Sequence, residues 1–114
     1  MGRRPAPAHT VASVDLCPQV EGAFELLSRK WAGLLIHVLS VGPRHFSELR
    51  AEIPGVSARM LAARMQELQK AGIVTRDVQA HPPVRVVYSL TEKGRALIPV
   101  MAGIANWART WIRA

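Results

Sequence analysis

Residues 57–64 carry the side chains of this sequence that are best suited to contact DNA. Arg59 and Arg64 lie off the apolar stripe of their segment, so both are expected on the outer face of a helix. Arg59 could bond O6 and N7 of guanine and specify a base, or bond a phosphate and only position the protein. Both alternatives stay open for Arg59, whereas a phosphate contact is favoured for Arg64. Met60 could touch thymine methyl groups or be half-buried, and partial burial is favoured. Ser57 is expected to cap the helix with a hydroxyl that could also reach a phosphate.

Three further candidates lie outside this segment. Arg85 and His81 belong to a region that is expected to sit over the DNA backbone or the minor groove. Arg85 is the stronger candidate because it stays charged, whereas His81 is favoured as a solvent-exposed loop residue. Arg44 precedes the first helix of the motif described below and could face the backbone. The predicted DNA-binding residues are Ser57, Arg59, Met60, Arg64, Arg44, His81 and Arg85.

Cys17 is the one cysteine of the chain, so it cannot form a disulfide within it. It directly precedes Pro18 at a predicted helix start, and a helix N-terminus favours the thiolate. Oxidation could then link two subunits or attach a small thiol to the sulfur. The alternative is an unreactive cysteine that packs as a small apolar side chain. The residues alone leave both alternatives open.

Composition limits the class of protein. With 114 residues the chain is expected to form one domain, and its net charge of +7 and pI near 11.1 favour an anionic partner, nucleic acid before a membrane surface. The apolar runs are shorter than the roughly 18–20 residues that span a bilayer, and no secretory leader is evident. The predicted location is the cytoplasm, in association with the nucleoid, without a membrane partner.

The polar residues do not form the pattern of an enzyme. The sequence has no glycine-rich phosphate loop, no paired carboxylates at a plausible site and no nucleophile–histidine–acid set. The histidines lie at positions 9, 37, 45 and 81, and no pair has the spacing of metal ligands. We therefore expect no catalytic residues, no metal and no cofactor.

Residues 46–72 must position the two arginines, and they are predicted to form two helices. The segments on either side of residues 54–57 each carry a one-sided apolar stripe, and the linker contains Pro and Gly. Two helices joined by such a turn form a helix-turn-helix. Ser47 and Ser57 are the predicted N-caps, and Gly72 is expected to end the second helix.

Two more helices are predicted before this motif. The first is opened by Cys17-Pro18, since proline suits the first turn of a helix. Its predicted core face comprises Val20, Ala23, Phe24 and Leu27. The second covers residues 30–40 and is apolar over most of its circumference, so it is expected to be central in the core.

After Gly72 the apolar pattern changes to a period of two. Residues 73–78 and 84–90 are strand-like and enclose a short proline-containing loop, which predicts a β-hairpin. A hairpin directly after a helix-turn-helix is the wing of a winged helix. Thr91 is then expected to cap a last helix, in which Pro99 should cause a kink or a division into a short and a longer helix.

The last helix carries a heptad-like apolar seam of Leu97, Met101, Ile104, Ala108 and Trp111. Trp107 and Trp111 lie near the end of this helix. A domain of this size rarely needs two such aromatic anchors on a terminal helix for its own core. A dimer interface is therefore favoured, and the alternative is a helix that folds back on its own core.

Several short motifs recur in the order and spacing of one known family. They are Cys17-Pro18 with Glu21, Lys30-Trp31, Gly42-Pro43-Arg44-His45-Phe46-Ser47-Glu48-Leu49, Ile53-Pro54-Gly55-Val56-Ser57, Met60-Leu61, Arg64-Met65, Leu68, Ala71-Gly72-Ile73-Val74, Pro82-Pro83-Val84-Arg85-Val86 and Tyr88-Ser89-Leu90-Thr91-Glu92-Lys93-Gly94. Through these motifs, over about residues 15–112, the chain resembles the HxlR-type transcriptional regulators, winged helix-turn-helix proteins of bacteria and archaea.

The resemblance implies a mainly α-helical fold with a small β-hairpin. It also implies a homodimer that binds a pseudo-palindromic operator in double-stranded DNA and regulates transcription, with repression favoured over activation. Residues 1–13 are expected to form a flexible arm and residues 14–114 the winged domain. Within it we expect a recognition helix at about 57–71, a wing at about 79–85 and a dimerisation helix at about 92–113.

In the family, the N-terminal segment and the last helix form the dimer interface, and some members sense oxidants or electrophiles through the cysteine that matches Cys17. The interface residues implied here are Leu16, Cys17, Met101, Ile104, Trp107, Ala108 and Trp111. Ala62 and Ala63 replace the polar residues that the family often has in its recognition helix. Specificity is therefore expected to depend on few base contacts, on the wing and on DNA shape.

Two alternative functions stay open at this point. One is a winged-helix module that binds another protein and no DNA. The other is a regulator gated by a small ligand in an apolar pocket between the core and the last helix, without a redox role for Cys17. The predicted effector is accordingly an oxidant or another small molecule.

Overall fold

The structure, a computed structural model, describes residues 16–113, which form six helices and one three-stranded sheet. The helices are α1 (Pro18–Ser28), α2 (Ala32–Leu39), α3 (Phe46–Glu52), α4 (Ala58–Lys70), α5 (Glu92–Arg95) and α6 (Ile98–Trp111), and the strands are β1 (Arg44–His45), β2 (Val74–Gln79) and β3 (Arg85–Leu90). The predicted mainly helical, winged helix-turn-helix fold is confirmed. The predicted arm over residues 1–13 lies outside the described residues.

Helix α2 lies at the centre of the core, as predicted. Leu35 and Ile36 are fully buried, because this short helix is apolar on nearly every side and other elements cover it. The helix begins later than predicted because Trp31, its N-cap, adopts the left-handed backbone conformation with φ 78°. The remaining buried cluster consists of Leu39, Leu49, Ile53, Val56, Leu61, Met65, Leu68, Ile73, Val74, Tyr88, Leu90 and Met101.

Helix α1 begins after Cys17 with Pro18 in its first turn, as predicted. The prediction of its core face is wrong for Val20, Ala23 and Phe24, because Val20 is 39% exposed, Phe24 is 71% exposed and Ala23 is exposed as well. Only Leu26 and Leu27, near the end of α1, pack partly against the core. The apolar face of α1 is therefore turned away from the core of its own chain.

Helices α3 and α4 form the predicted helix-turn-helix. The Ser57 hydroxyl accepts a hydrogen bond from the Met60 N–H at 3.0 Å, which confirms Ser57 as the N-cap of α4. The prediction of Ser47 as a cap is wrong, because α3 already begins at Phe46. Its N-cap is His45, whose backbone N–H donates to the Glu48 carboxylate at 2.7 Å.

The wing is part of a sheet with strand order β1-β3-β2. Strands β2 and β3 form the predicted antiparallel hairpin, with Val74 opposite Leu90 and Gln79 opposite Arg85. Strand β1 was not predicted. It has two residues and no apolar period, and it exists because Arg44 pairs with Tyr88 and His45 with Val87. This pairing fixes the start of α3 against the wing.

The predicted effect of Pro99 is confirmed, because the last helical region is divided into α5 and α6, and the proline lies in the first turn of α6. The predicted cap is also confirmed, because the Thr91 hydroxyl accepts the Gly94 N–H at 3.0 Å. Gly72 has a φ of 76° and follows the end of α4, as predicted. The Thr91 N–H donates to the Ile73 carbonyl at 2.9 Å, so α5 is held against the end of α4.

Candidate nucleic-acid interface

Helix α4 presents an outer face of exposed residues on the side away from the core. Arg59, Ala62, Ala63 and Gln66 are all exposed on this face. The ion pairs found among residues 16–113 do not involve Arg59, so its guanidinium is available to an external partner. The face therefore presents the guanidinium of Arg59 and the side-chain amide of Gln66, with the methyl groups of Ala62 and Ala63 between them. This arrangement suits contacts with base edges in a groove.

Ser57 and Met60 lie at the beginning of this face. Ser57 is exposed, and its hydroxyl still has a proton to donate after accepting the capping bond. Met60 is half-buried and packs partly against the core, as predicted. The first turn of α4 thus combines a positive helix N-terminus, a hydroxyl and Arg59, a combination that suits a phosphate oxygen or a base edge.

Arg64 is turned toward its own chain. Its Nε donates to the Lys30 carbonyl at 2.8 Å, and its Nη1 lies 3.1 Å from Oε2 of Glu67. The side chain is only 13% exposed. This placement favours a structural role over the predicted phosphate contact, because the guanidinium would have to leave both partners to reach DNA.

Arg44 is similarly engaged within the chain. Its Nε lies 2.6 Å from Oε2 of Glu52, and its Nη1 donates to the carbonyl groups of Gly42 and Pro43 at 3.0 Å each. The side chain is 20% exposed. Arg44 therefore stabilises the connection between α2 and α3, and this role is favoured over the predicted backbone contact.

Arg85 and His81 lie in the wing as predicted. His81 is an exposed residue of the loop, and Arg85 is exposed at the first position of β3. The Nη1 of Arg85 lies 3.5 Å from Nε2 of His45, so the wing and the start of α3 meet here. A groove of about 570 Å³ lies at this junction and is lined by Ser47 and Pro83 among others.

Sequence reasoning missed three exposed polar residues near this surface. Gln66 lies seven positions after Arg59, two helical turns along the same outer face, and helical periodicity alone would have identified it. Arg50 is exposed on α3 and Arg76 on β2. No motif of the sequence singled out Arg50, because its exposure depends on which side of α3 packs on the core.

The predicted dimer interface is represented by a surface of exposed apolar side chains on α1 and α6. Its most exposed members are Leu16 (69%), Phe24 (71%), Ile104 (54%), Trp107 (58%) and Trp111 (71%). Ala108 is half-buried. Met101 has to be removed from the predicted interface, because it is 5% exposed and belongs to the core of its own chain.

Cys17 lies at one end of the same surface. It is the N-cap of α1, is partly exposed and carries a free thiol. This confirms the predicted position at a helix N-terminus. The neighbouring Leu16 is largely exposed in the single chain.

A second feature of this side of the molecule is an apolar groove between α2 and α6. It has a volume of about 460 Å³ and is lined by Leu27, Trp31, Leu34, His37, Met101 and Ile104 among others. The groove lies between the core and the last helix, where the alternative of a ligand-gated regulator predicts a pocket. Over residues 16–113, no three metal-ligating side chains lie close enough to hold an ion. None of the described helices has the length and apolarity needed to cross a membrane.

Comparison with known proteins agrees with the geometry. The model of the HxlR-like helix-turn-helix family matches residues 26–114. The uncharacterized HTH-type transcriptional regulator YvaP of Bacillus subtilis is 44% identical over 98 residues, which cover 86% of this chain and 91% of YvaP. The HTH-type transcriptional regulator YodB of the same organism is 48% identical over 93 residues, which cover 82% of this chain and 83% of YodB.

Solved structures of two regulators also match. The reduced form of YodB has a TM-score of 0.76 at 45% identity and covers 87% of this chain and 97% of its own. Diamide-treated and quinone-bound YodB match with TM-scores of 0.70 and 0.73. The redox regulator HypR in its oxidized form has a TM-score of 0.79 at 36% identity and covers 86% of this chain and all of its own.

Proposed function

The chain belongs to the HxlR-like helix-turn-helix family and is therefore a DNA-binding transcriptional regulator; we propose that it acts as a homodimeric repressor on a pseudo-palindromic operator at the nucleoid. The observation that carries this proposal is the outer face of α4, where Arg59 is exposed and has no ion-pair partner among the described residues. The chain's net charge of +7 supports an attraction to phosphates that does not depend on sequence.

The dimer is proposed from the surface on α1 and α6. Exposed side chains such as Phe24, Trp107 and Trp111 carry large apolar areas, and a second copy of the chain would remove them from water. We propose that the two-fold axis passes through this surface with the two α4 helices on one side of the dimer. They would then enter successive major grooves, which are about 34–36 Å apart.

Selection from a random library of DNA duplexes tests this proposal. We expect the protein to enrich a two-fold symmetric sequence, and a gel shift with that duplex should persist in excess random DNA. Affinity should fall steeply as salt is raised, because bound phosphates release counterions. If no sequence is enriched, the protein is not a sequence-specific regulator. An affinity that does not change with salt concentration would show that phosphate contacts contribute little to binding.

We further propose that an oxidant or electrophile releases the protein from its operator through Cys17. Support comes from the partly exposed thiol at the start of α1 and from relatives whose structures are described as diamide-treated, quinone-bound and oxidized. Because Cys17 is the only cysteine of the sequence, a disulfide must form either between the Cys17 residues of two subunits or between Cys17 and a small external thiol. Forming it removes two electrons and two protons, which diamide accepts.

Operator binding before and after diamide or benzoquinone treatment tests the role of Cys17. We expect the parent protein to lose affinity, and Cys17→Ser to keep it, because serine forms neither a disulfide nor a thioether. Mass spectrometry should find the modification on Cys17. If Cys17→Ser loses affinity as the parent does, the thiol is not the sensor. A benzoquinone response by that variant would instead favour noncovalent binding, for which the groove between α2 and α6 is the candidate.

A further inference from the structure

Glu67, on α4, lies where α1 and the recognition helix meet. Arg29, the C-cap of α1, places its Nη2 at 3.0 Å from Oε2 of Glu67. Arg64 places its Nη1 at 3.1 Å from the same oxygen. One carboxylate oxygen therefore joins the end of α1 to two positions on α4, and two arginines hold it in place.

The connection between α1 and α2 extends this network. Arg64 also donates its Nε to the Lys30 carbonyl at 2.8 Å, one residue before Trp31. Trp31 has the left-handed φ of 78°, which turns the chain sharply at this point. A Cβ built on Gly55, in the turn between α3 and α4, would lie 3.5 Å from the Trp31 ring. The α1–α2 connection thus contacts both α4 and the turn that precedes it.

Apolar packing holds α1 only weakly to its own chain. The helix contains no buried residue, and only Leu26 and Leu27 pack partly against the core. Because its other apolar side chains point away from the core, packing alone leaves the angle between α1 and α4 poorly fixed. The contacts of Glu67 supply the directional restraint, since hydrogen-bonded ion pairs depend on geometry in a way that apolar contacts do not.

We infer that Glu67 is a positioning residue that fixes the recognition helix α4 relative to α1, and thereby sets the separation of the two recognition helices in the dimer. The inference rests on the proposed function, because α1 contributes to the proposed dimer surface. Glu67 itself contacts no base in this arrangement. Its carboxylate would act through Arg29 and Arg64. By fixing α4, it would make binding to one half-site spacing more favourable than binding to spacings one base pair shorter or longer.

Two properties of Glu67 separate this role from a general contribution to stability. The Arg29 and Glu67 side chains are 51% and 43% exposed, so the ion pair between these two residues contributes little to the free energy of unfolding. Arg64 is 13% exposed, but it keeps its bond to the Lys30 carbonyl when the carboxylate is removed. Removing the carboxylate also makes the protein more positive, which alone would raise affinity for any DNA. A loss of specific binding would therefore run against the electrostatic effect of the substitution.

The test compares Glu67→Gln with Glu25→Gln on the duplex that the parent protein selects from a random library. Glu25 is exposed on α1 and takes part in none of the ion pairs of residues 16–113, so its substitution removes the same charge without breaking the network. For Glu67→Gln we expect the ratio of selected-duplex to random-duplex affinity to fall about 3- to 30-fold, the range typical of residues that change a coupling without touching the ligand. Glu25→Gln should keep the ratio of the parent.

Duplexes in which the half-sites are one base pair closer or farther apart provide the second readout. The parent should discriminate strongly against both spacings, whereas Glu67→Gln should bind the three duplexes more equally. A loss of stability alone would lower all three affinities together. If Glu67→Gln and Glu25→Gln have the same ratio of selected-duplex to random-duplex affinity and the same spacing preference, the inference is overturned. If the parent selects no duplex, the proposed function itself is overturned. If Glu67→Gln fails to fold, Arg29→Gln decides by the same criteria, since it leaves both contacts of Arg64 intact.

Discussion

Arg59 and Arg64 lie five residues apart on α4, and the structure gives them different surroundings. With 3.6 residues per turn, Arg59 lies roughly opposite the stripe of Leu61, Met65 and Leu68, whereas Arg64 lies beside its edge. Arg59 is exposed, whereas Arg64 is 13% exposed and bonds to the Lys30 carbonyl and Glu67. Glu67 follows Arg64 on the same helix, but the Lys30 carbonyl lies 34 positions earlier in the chain, and the helical pattern could not reveal this contact.

Arg59→Ala tests the base-reading role. The variant should lose about 1–3 kcal/mol of affinity for the selected duplex and should tolerate substitution at one base position, because a bidentate contact to guanine would be gone. A gel shift series with single-base variants of the duplex measures this. Random DNA serves as the control: an equal loss there would show that Arg59 holds a phosphate and specifies no base.

Gly94 is a residue at which a single methyl group should matter. A Cβ at this position would lie well within 3.0 Å of the Ile73 carbonyl oxygen, where real Cβ atoms essentially never occur. Gly94→Ala should therefore destabilise the protein by about 1–3 kcal/mol, as overpacking typically does. Urea denaturation followed by circular dichroism measures the change.

Gly22→Ala is the matched control for this prediction. Gly22 lies inside α1, and its Cβ would meet nothing within 4 Å. The added methyl group should therefore stabilise the protein by about 0.5–1 kcal/mol through helix propensity. If both variants change the free energy of unfolding equally, the close approach of α5 to Ile73 is not a constraint on the fold.

At the scale of elements, the wing and the helix-turn-helix are joined by β1. Because β3 lies between β1 and β2, movement of the wing would also move the start of α3. The contact between Arg85 and His45 lies on the same junction. The wing is thus held against the start of α3 both by the backbone pairing of β1 with β3 and by the contact of Arg85 with His45. We therefore expect the wing to keep a fixed position relative to α4.

Arg85→Ala tests the contribution of the wing to DNA binding. We expect affinity for the selected duplex and for random DNA to fall alike, because a phosphate contact carries no sequence information. The slope of log affinity against log salt should become shallower by about one phosphate contact, roughly 0.9. Arg109→Ala, which removes the same charge from an exposed position of α6, should change the slope less. A specific loss on the selected duplex alone would instead place Arg85 at a base edge.

At the scale of the whole molecule, the exposed apolar side chains of α1 and α6 are the feature that the fold of one chain does not explain. The core closes around α2 and includes only one buried residue of α6, Met101. Ile104, one turn farther along, is 54% exposed. The amphipathic patterns of α1 and α6 therefore point to a surface outside the protomer, which we propose to be the dimer interface.

Ile104→Glu tests this interface by sedimentation velocity. We expect the parent to sediment as a dimer and the variant to shift toward monomer, because a carboxylate would be buried without a partner in the interface. The helical circular dichroism should be kept, since this position is largely exposed in the protomer. Val41→Glu, the same kind of change at a residue that is 78% exposed at the end of α2, should remain dimeric. A dimeric Ile104→Glu would place the interface elsewhere.

The sequence by itself determined the local elements. Helix caps at Ser57 and Thr91, the division at Pro99 and the two-residue period of the hairpin all depend on neighbouring residues, and the structure confirms them. The same local patterns identified the recognition helix and its exposed Arg59.

Only the tertiary structure decided which faces are covered and which charged groups are engaged. The apolar pattern of α1 predicted a core face, but α2 fills the centre of the core and α1 has no buried residue. Met101 looked like an interface residue, but it packs inward. The pairing of β1 with β3, the ion pair of Arg44 with Glu52 and the ion pair of Arg29 with Glu67 each join residues that lie from eight to more than forty positions apart. Such contacts depend on how the elements pack, and no local period of the sequence encodes them.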